Sequence, residues 1–438
     1  MQLRDWPSQS LRRDVKQIMM KIAIIGSGIS GLGAAYSLSP NTLVDLFESS
    51  ERIGGHTHTV PVTDPHIGSL NVDTGFIVFN EKNYPNLVNL LHELNVPYQT
   101  SDMSFSATRI ESQKSWGSDV PWGLFASPSN WINPKFHRFL KGVVQFNKVG
   151  LMDQPTVPTE WTLQTYIKKR NIPEAVVENY ILPMTGAIWS GAFSEILDMP
   201  ISSFLNFWKN HQLLEINHNL EWKVVQNGSH SYVDAILKKI SGTVFKNTPI
   251  QAVYEDANGV HIQTPSETLT YDGVVIATHA DQALHLLKSP SEKAQNMLGK
   301  WQYSKNETFL HTDIRQLPKR KAAWCSWNVF YSPFEKADTP IHITYWMNRL
   351  QSLKTKTNYM VTLNPKTEID PEKVLKKMTY THPIMSKAAM DTQAFLPELN
   401  QGSKIALCGS YFGYGFHEDG LRSGLEAAKS LRQTLSIG

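Results

Sequence analysis

An α/β fold organised on a parallel sheet is predicted by three adjoining features of residues 21–48, KIAIIGSGISGLGAAYSLSPNTLVDLFE. Residues 22–25 are a short apolar run of the kind that forms a buried parallel strand. The turn Gly26-Ser27-Gly28-Ile29-Ser30-Gly31 follows and leads into a helix carrying Ala34, Ala35 and Leu38. Residues 43–47 supply a second strand, which ends at Glu48. Each glycine has a distinct role: Gly26 permits the tight turn, Gly28 lets a pyrophosphate approach the backbone, and Gly31 lets the helix pack close to the strand. The pyrophosphate would sit on the helix N-terminus, where free N–H groups and the helix dipole favour an anion. Glu48 has the spacing expected of a carboxylate on the ribose hydroxyls, which disfavours a ribose 2′-phosphate and makes NADP the least favoured dinucleotide.

The residues after the acid distinguish among dinucleotides. Glu48, Arg52, Gly54, Gly55 and His56 resemble the "E, then RxGG" extension of flavoproteins of the amine oxidase and phytoene desaturase type. That resemblance implies FAD held non-covalently, with Arg52 at its phosphates and the paired glycines against the cofactor. His56 is the residue placed for a covalent flavin link, but the segment resembles a non-covalent site.

Residues 405–424, IALCGSYFGYGFHEDGLRSG, resemble the last FAD-binding element of the same superfamily, a strand and glycine loop entering a helix that faces the flavin. Such a helix end stabilises negative charge on the reduced ring. By the same resemblance, Gly75, Phe76 and Ile77 pass the isoalloxazine, Ile250 lies by the adenine, and the strand ending at Ala277 returns to the cofactor. Gly409, Ser410, Phe416 and His417 complete the expected cofactor set. The implied fold is a Rossmann-like FAD-binding domain of amine oxidase type, with an interleaved α+β substrate domain.

The wording of residues 413–424, together with HTD at 311–313, WNVF at 327–330 and TYWMNRLQSL at 344–353, resembles one bacterial subgroup described as predicted NAD/FAD-binding or amine oxidase-like proteins. The resemblance covers nearly all of residues 20–435. Members often adjoin genes for cyclopropane-fatty-acid-synthase-like methyltransferases, which suggests a lipid acyl substrate and such a methyltransferase as partner.

The global numbers agree. The 438 residues are 41% hydrophobic and 18% charged, ordinary for a globular protein with room for two or three domains. A formal charge of +3 gives no argument for nucleic acid. Only Cys325 and Cys408 are present, so a reducing cytoplasm is expected, with contact at the inner membrane as an extension of that reading. No apolar stretch reaches the ~18 residues of a membrane span, and no metal site is expected.

Residues 1–19 lack an apolar signal core and read as a disordered tail or an unneeded upstream start. The FAD domain is expected to combine residues 20–85, about 225–285 and 402–438. Residues 86–224 and 286–401 would form the substrate domain, with helices at 86–93 and 163–169 and a strand at 341–346.

Flavin amine oxidases commonly guide the amine between two aromatic rings, with a lysine ordering a water near the reactive nitrogen. Here Phe416 falls at one ring position without a phenol, the loop from Gly409 to Gly415 looks shortened, and Ser410 stands where the family often has an acid. Lys305 falls on the wrong face of its strand, because successive residues alternate sides. These departures weigh against amine oxidation.

His417, Glu418 and His311 are the candidate proton-handling groups, and Phe416, Tyr414 and Trp189 the candidate substrate pocket. Phe136, Phe139, Leu140 and Val143 share a helix face with Lys135, Arg138 and Lys141 elsewhere around it, so the helix either lies on anionic lipid or packs against its own domain. The expected activity is FAD-dependent removal of hydride from a carbon centre of a fatty acyl or lipid-like substrate. Amine oxidation, flavin-dependent isomerisation and a non-catalytic role in a lipid-modifying complex are the alternatives.

Overall fold

The computed structural model describes residues 19–215, 220–332 and 338–437. Apart from Met19, the expected N-terminal tail lies outside the described residues. A five-stranded parallel sheet holds the strands in the order Val244–Phe245, Leu43–Phe47, Lys21–Ile25, Gly273–Ile276, Ile405–Leu407. We call Lys21–Ile25 β1 and Leu43–Phe47 β2. Ile25 pairs with Phe47 on one side and Ile276 on the other, so the strands end level and the glycine turn leaves from their carboxyl edge. Apart from Lys21, every β1 residue is buried, as expected of a strand covered on both faces.

Helix α1 (Ile29–Leu38) packs along the C-terminal helix His417–Leu435. A Cβ on Gly420 would lie 2.8 Å from Ile29 Cγ2, and one on Gly33 2.5 Å from Leu421 Cδ1. Small residues on both helices therefore set the close approach. The longer helix carries Glu418 and Asp419 in its first turn and Arg432 in its last, matching the helix dipole.

A second, seven-stranded sheet runs in the order Val374–Pro383, Tyr303–His311, Met360–Leu363, His342–Trp346, Trp327–Tyr331, Phe105–Arg109, Lys114–Gly117. In the strand Tyr303–His311, Asn306 and Thr308 are buried while Lys305 and Glu307 are exposed. Among the helices outside the parallel sheet are α2 (Pro85–Glu93) and α3 (Pro134–Asp153). Phe139 is buried, and Phe136, Leu140 and Val143 are half-buried against the same core, so the apolar face of α3 packs on its own domain. No helix of the described residues is long and apolar enough to cross a membrane.

Candidate functional site

The two helix N-termini open on one cavity of about 1380 Å³. That exceeds the ~300–1,000 Å³ of an ordinary ligand pocket and leaves room for more than one molecule. At one end lie Gly26, Ser27, Gly28, Ile29 and Ser30 of the glycine turn, with Glu48 and Ile250. Gly26 adopts φ +102°, and a Cβ there would meet the Ala277 carbonyl at 2.7 Å. On Gly31 it would lie 1.9 Å from the Gly26 carbonyl, so the third glycine seats the helix on the turn rather than lining the cavity. Gly28 differs, because a Cβ there would meet no atom within 4 Å.

Glu48 Oε2 accepts from Ser27 N (3.1 Å) and Ser27 Oγ (2.6 Å), and its other oxygen from Ser50 N (2.9 Å). Burial works to raise its pKa, yet these hydrogen bonds outweigh burial and hold the carboxyl below its usual range. The structure does not bring Arg52 to the cavity wall. Its guanidinium donates to the carbonyls of Gly55 (2.7 Å) and Thr57 (3.0 Å), so it shapes the loop that presents Gly55 and His56. Gly54 is also off the wall and donates to Ser27 O at 3.1 Å.

Gly75, Phe76, Ile77, Ala277, Gly409, Ser410, Phe416 and His417 line the middle of the cavity. His417 is the first residue of the C-terminal helix, whose first N–H groups lack intrahelical acceptors. Its ring stacks on Phe76 at 3.6 Å, and Nε2 lies 3.0 Å from Thr57 Oγ1 and 3.1 Å from Tyr232 OH. Burial lowers its pKa to about 3, so the imidazole is neutral near pH 7 and its ring is committed to packing.

The two other candidate proton-handling groups lie off the cavity. Glu418 accepts from Asn86 N (3.0 Å), Asn86 Nδ2 (2.6 Å) and Leu87 N (3.0 Å), which caps α2. Glu418→Ala is therefore expected to lower stability by about 2–3 kcal/mol through the two stranded N–H groups, measured by urea unfolding. A catalytic role predicts instead a slower reaction at unchanged stability. His311 is fully buried between Thr362 Oγ1 (2.7 Å) and the Asp313 amide (3.1 Å), within the second sheet.

Trp189 and Phe416 line the cavity, with Phe207 lying 5.0 Å from Phe416 and nearly parallel to it. Tyr414 does not line it. Its carbonyl accepts from Trp189 Nε1 at 3.0 Å and its ring packs behind Phe207. Tyr411, from the same loop, takes the place on the wall.

Beside the expected His56, the wall holds neutral histidines, His279 and His382, that sequence reasoning missed. His56 and His382 lie 5.3 Å apart, and His279 stacks on Tyr303 at 4.2 Å. Burial holds the pKa of His56 well below normal and brings that of His382 to about 4. Only the antiparallel register of His382 against Ser304 brings it here, and no local sequence signal carries that register.

The residues present fit a flavin dinucleotide. Gly28 presents bare backbone beside a helix N-terminus, while His56 Nε2 and the Tyr411 hydroxyl are buried in the wall without a protein partner among the described residues. Residues 29–313 match the family model described as flavin containing amine oxidoreductase. The chain belongs to that family. This flavin-containing amine oxidoreductase is therefore an oxidoreductase with FAD as its cofactor.

Solved structures share its fold at low identity. Cyclohexylamine oxidase from Brevibacterium oxydans IH-35A is 16% identical with a TM-score of 0.65, over 95% of this chain and 100% of that one. Putrescine oxidase bound to putrescine is 12% identical with a TM-score of 0.65, over 94% and 99%. A CLA-producing fatty acid isomerase from P. acnes is 12% identical with a TM-score of 0.64, over 93% and 97%. No curated protein matches the sequence.

Proposed function

We propose that this oxidoreductase removes hydride from a carbon centre of an uncharged, fatty acyl or lipid-like chain. The observation that carries this reading is the state of the carboxylates around the cavity. Asp102 and Asp119 are both paired with Arg349, at 3.0 and 2.7 Å, and Glu221 with Lys223 at 2.6 Å. Glu48 is held by Ser27 and Ser50, and Asp281 is solvent-exposed. An ammonium entering the cavity would lose water without gaining a free buried carboxylate, a loss that a hydrocarbon chain avoids.

The remaining wall agrees with that choice. Met103, Phe105, Met184, Ile188, Trp189 and Leu350 are apolar, and no lysine or arginine lines the cavity among the described residues. Lys305, the residue nearest in sequence to the lysine of amine oxidation, is exposed on the outer face of its strand. A fatty acid isomerase shares the fold, which is compatible with a lipid substrate.

When bound, FAD accepts the hydride, and the protein's part is binding and orientation. Glu48 receives the ribose, the N-terminus of α1 receives the pyrophosphate, and the first turn of the C-terminal helix offers N–H groups to the flavin. Phe416, Phe207 and Trp189 exclude water and hold the chain, while neutral His56 and His382 present ring nitrogens in the wall.

The test is anaerobic mixing of the FAD-loaded protein with fatty acyl lipids and with amines, reading the visible flavin band. Bleaching by the lipids is expected, and bleaching by amines alone would overturn the reading. A shifted double bond with no net bleaching would indicate isomerisation. Turnover only after mixing with a cyclopropane-synthase-like methyltransferase would indicate a flavin-bearing partner.

A further inference from the structure

The apolar face of α3 is covered, yet the segment leading into it is not. Val120 is 76% exposed, Trp122 73%, Trp131 48% and Ile132 85%. A water-exposed cluster of this size and composition is unusual on a monomeric surface and marks a contact site.

The four residues belong to one built surface. Leu124 N donates to Asp119 O at 3.0 Å and Phe125 N to Pro121 O at 3.1 Å, which folds residues 119–125 into a turn with Trp122 near its apex. Asp119 is anchored by Arg349 at 2.7 Å. Phe125 then stacks on Trp131 at 4.1 Å and joins the turn to the start of α3. Ser118, immediately before the turn, and Asp119, its first residue, line the cavity.

Charge decides what covers this surface. Lys135, Arg138 and Lys141 are exposed along the first two turns of α3, and none has a carboxylate partner among the described residues. In a twofold self-association these cations would be brought near their own copies, since the same patch faces itself. Anionic headgroups would instead neutralise them while the apolar side chains enter the acyl boundary, where tryptophan is favoured.

We infer that Val120, Trp122, Trp131 and Ile132 dock this protein on an anionic lipid bilayer, with Lys135, Arg138 and Lys141 on the headgroups. The inference holds whichever substrate the cavity takes. It is tested by flotation of the FAD-loaded full chain with phosphatidylcholine vesicles and with equimolar phosphatidylglycerol–phosphatidylcholine vesicles. Binding only to the anionic vesicles is expected, weakening as salt is raised.

Two variants separate the contributions, Trp122→Ser with Ile132→Ser, and Lys135→Glu with Arg138→Glu and Lys141→Glu. Each is expected to lower vesicle partitioning by about tenfold or more while FAD content and melting temperature stay as in the parent. Failure of the parent chain to float with anionic vesicles would overturn the inference. So would unchanged partitioning of both variants, or a sedimentation dimer that the apolar variant dissociates.

Discussion

Gly424→Ala is expected to destabilise the protein by about 3 kcal/mol or more and to prevent recovery of FAD-loaded enzyme. The new Cβ would lie 2.1 Å from the carbonyl oxygen of Ser30, a backbone atom in the first turn of α1 that cannot turn aside as a side chain could. Relief requires α1 and the C-terminal helix to separate, and those helices bring the two N-termini to the cavity. Gly28→Ala is the informative contrast. Its Cβ would meet nothing within 4 Å, so the apoprotein should melt within about 1 kcal/mol of the parent, while FAD affinity should fall on the order of a hundredfold as the methyl group fills the pyrophosphate approach. Calorimetric melting with and without FAD distinguishes the two variants. Normal FAD binding by Gly28→Ala would remove the turn from the cofactor site.

The difference between these glycines shows what a sequence can and cannot disclose. The order β1, glycine turn, α1, β2 and Glu48 was legible because every relation within it is local, and the structure places Ser27 and Glu48 in direct contact. The helix at Leu163–Lys169 and the strand at His342–Trp346 likewise follow from short-range apolar patterns. The roles of the acids after Phe416 were not legible. Glu418 and Asp419 are neighbours on a polar helix start, yet Glu418 reaches across to α2 while Asp419 turns back to the amides of Tyr414 (2.9 Å) and Phe416 (3.2 Å). Only tertiary packing separates those two outcomes. Tyr411 and Tyr414 pose the same difficulty, since a three-residue difference in a glycine loop decides which faces the cavity. Exposed Trp122 and Ile132 reverse the usual expectation in another way, because the helix whose pattern suggested a lipid contact buries its apolar face and the loop before it does not.

Acid is expected to destabilise this protein before its ordinary carboxylates titrate. Burial depresses the pKa of His211, His311 and His382 to about 4 and of His342 and His417 to about 3. In the unfolded chain each returns to ~6.5. For these groups the unfolded state binds more protons between those values, so their contribution is fully present above about pH 6.5 and is lost progressively as pH falls toward 4 and 3. Buried carboxyls act in the opposite sense, Asp73 and Asp419 most strongly. Burial raises Asp73 and Asp419 to about 6, so they favour the folded state below the ordinary carboxylate range and lose that contribution as pH rises through 6. The lowered imidazoles outweigh the raised carboxyls, and the net sign near pH 5 is uptake of protons on unfolding. The melting temperature should therefore fall between pH 6.5 and 5 by on the order of 10 °C, and scanning calorimetry in matched buffers measures it. Of the five, His211, His382 and His417 line the cavity, while His311 and His342 sit in the second sheet away from it. Substituting His311 and His342 by glutamine should flatten the pH dependence without removing FAD. A melting temperature independent of pH over this range would mean that these imidazoles reach water in the folded protein.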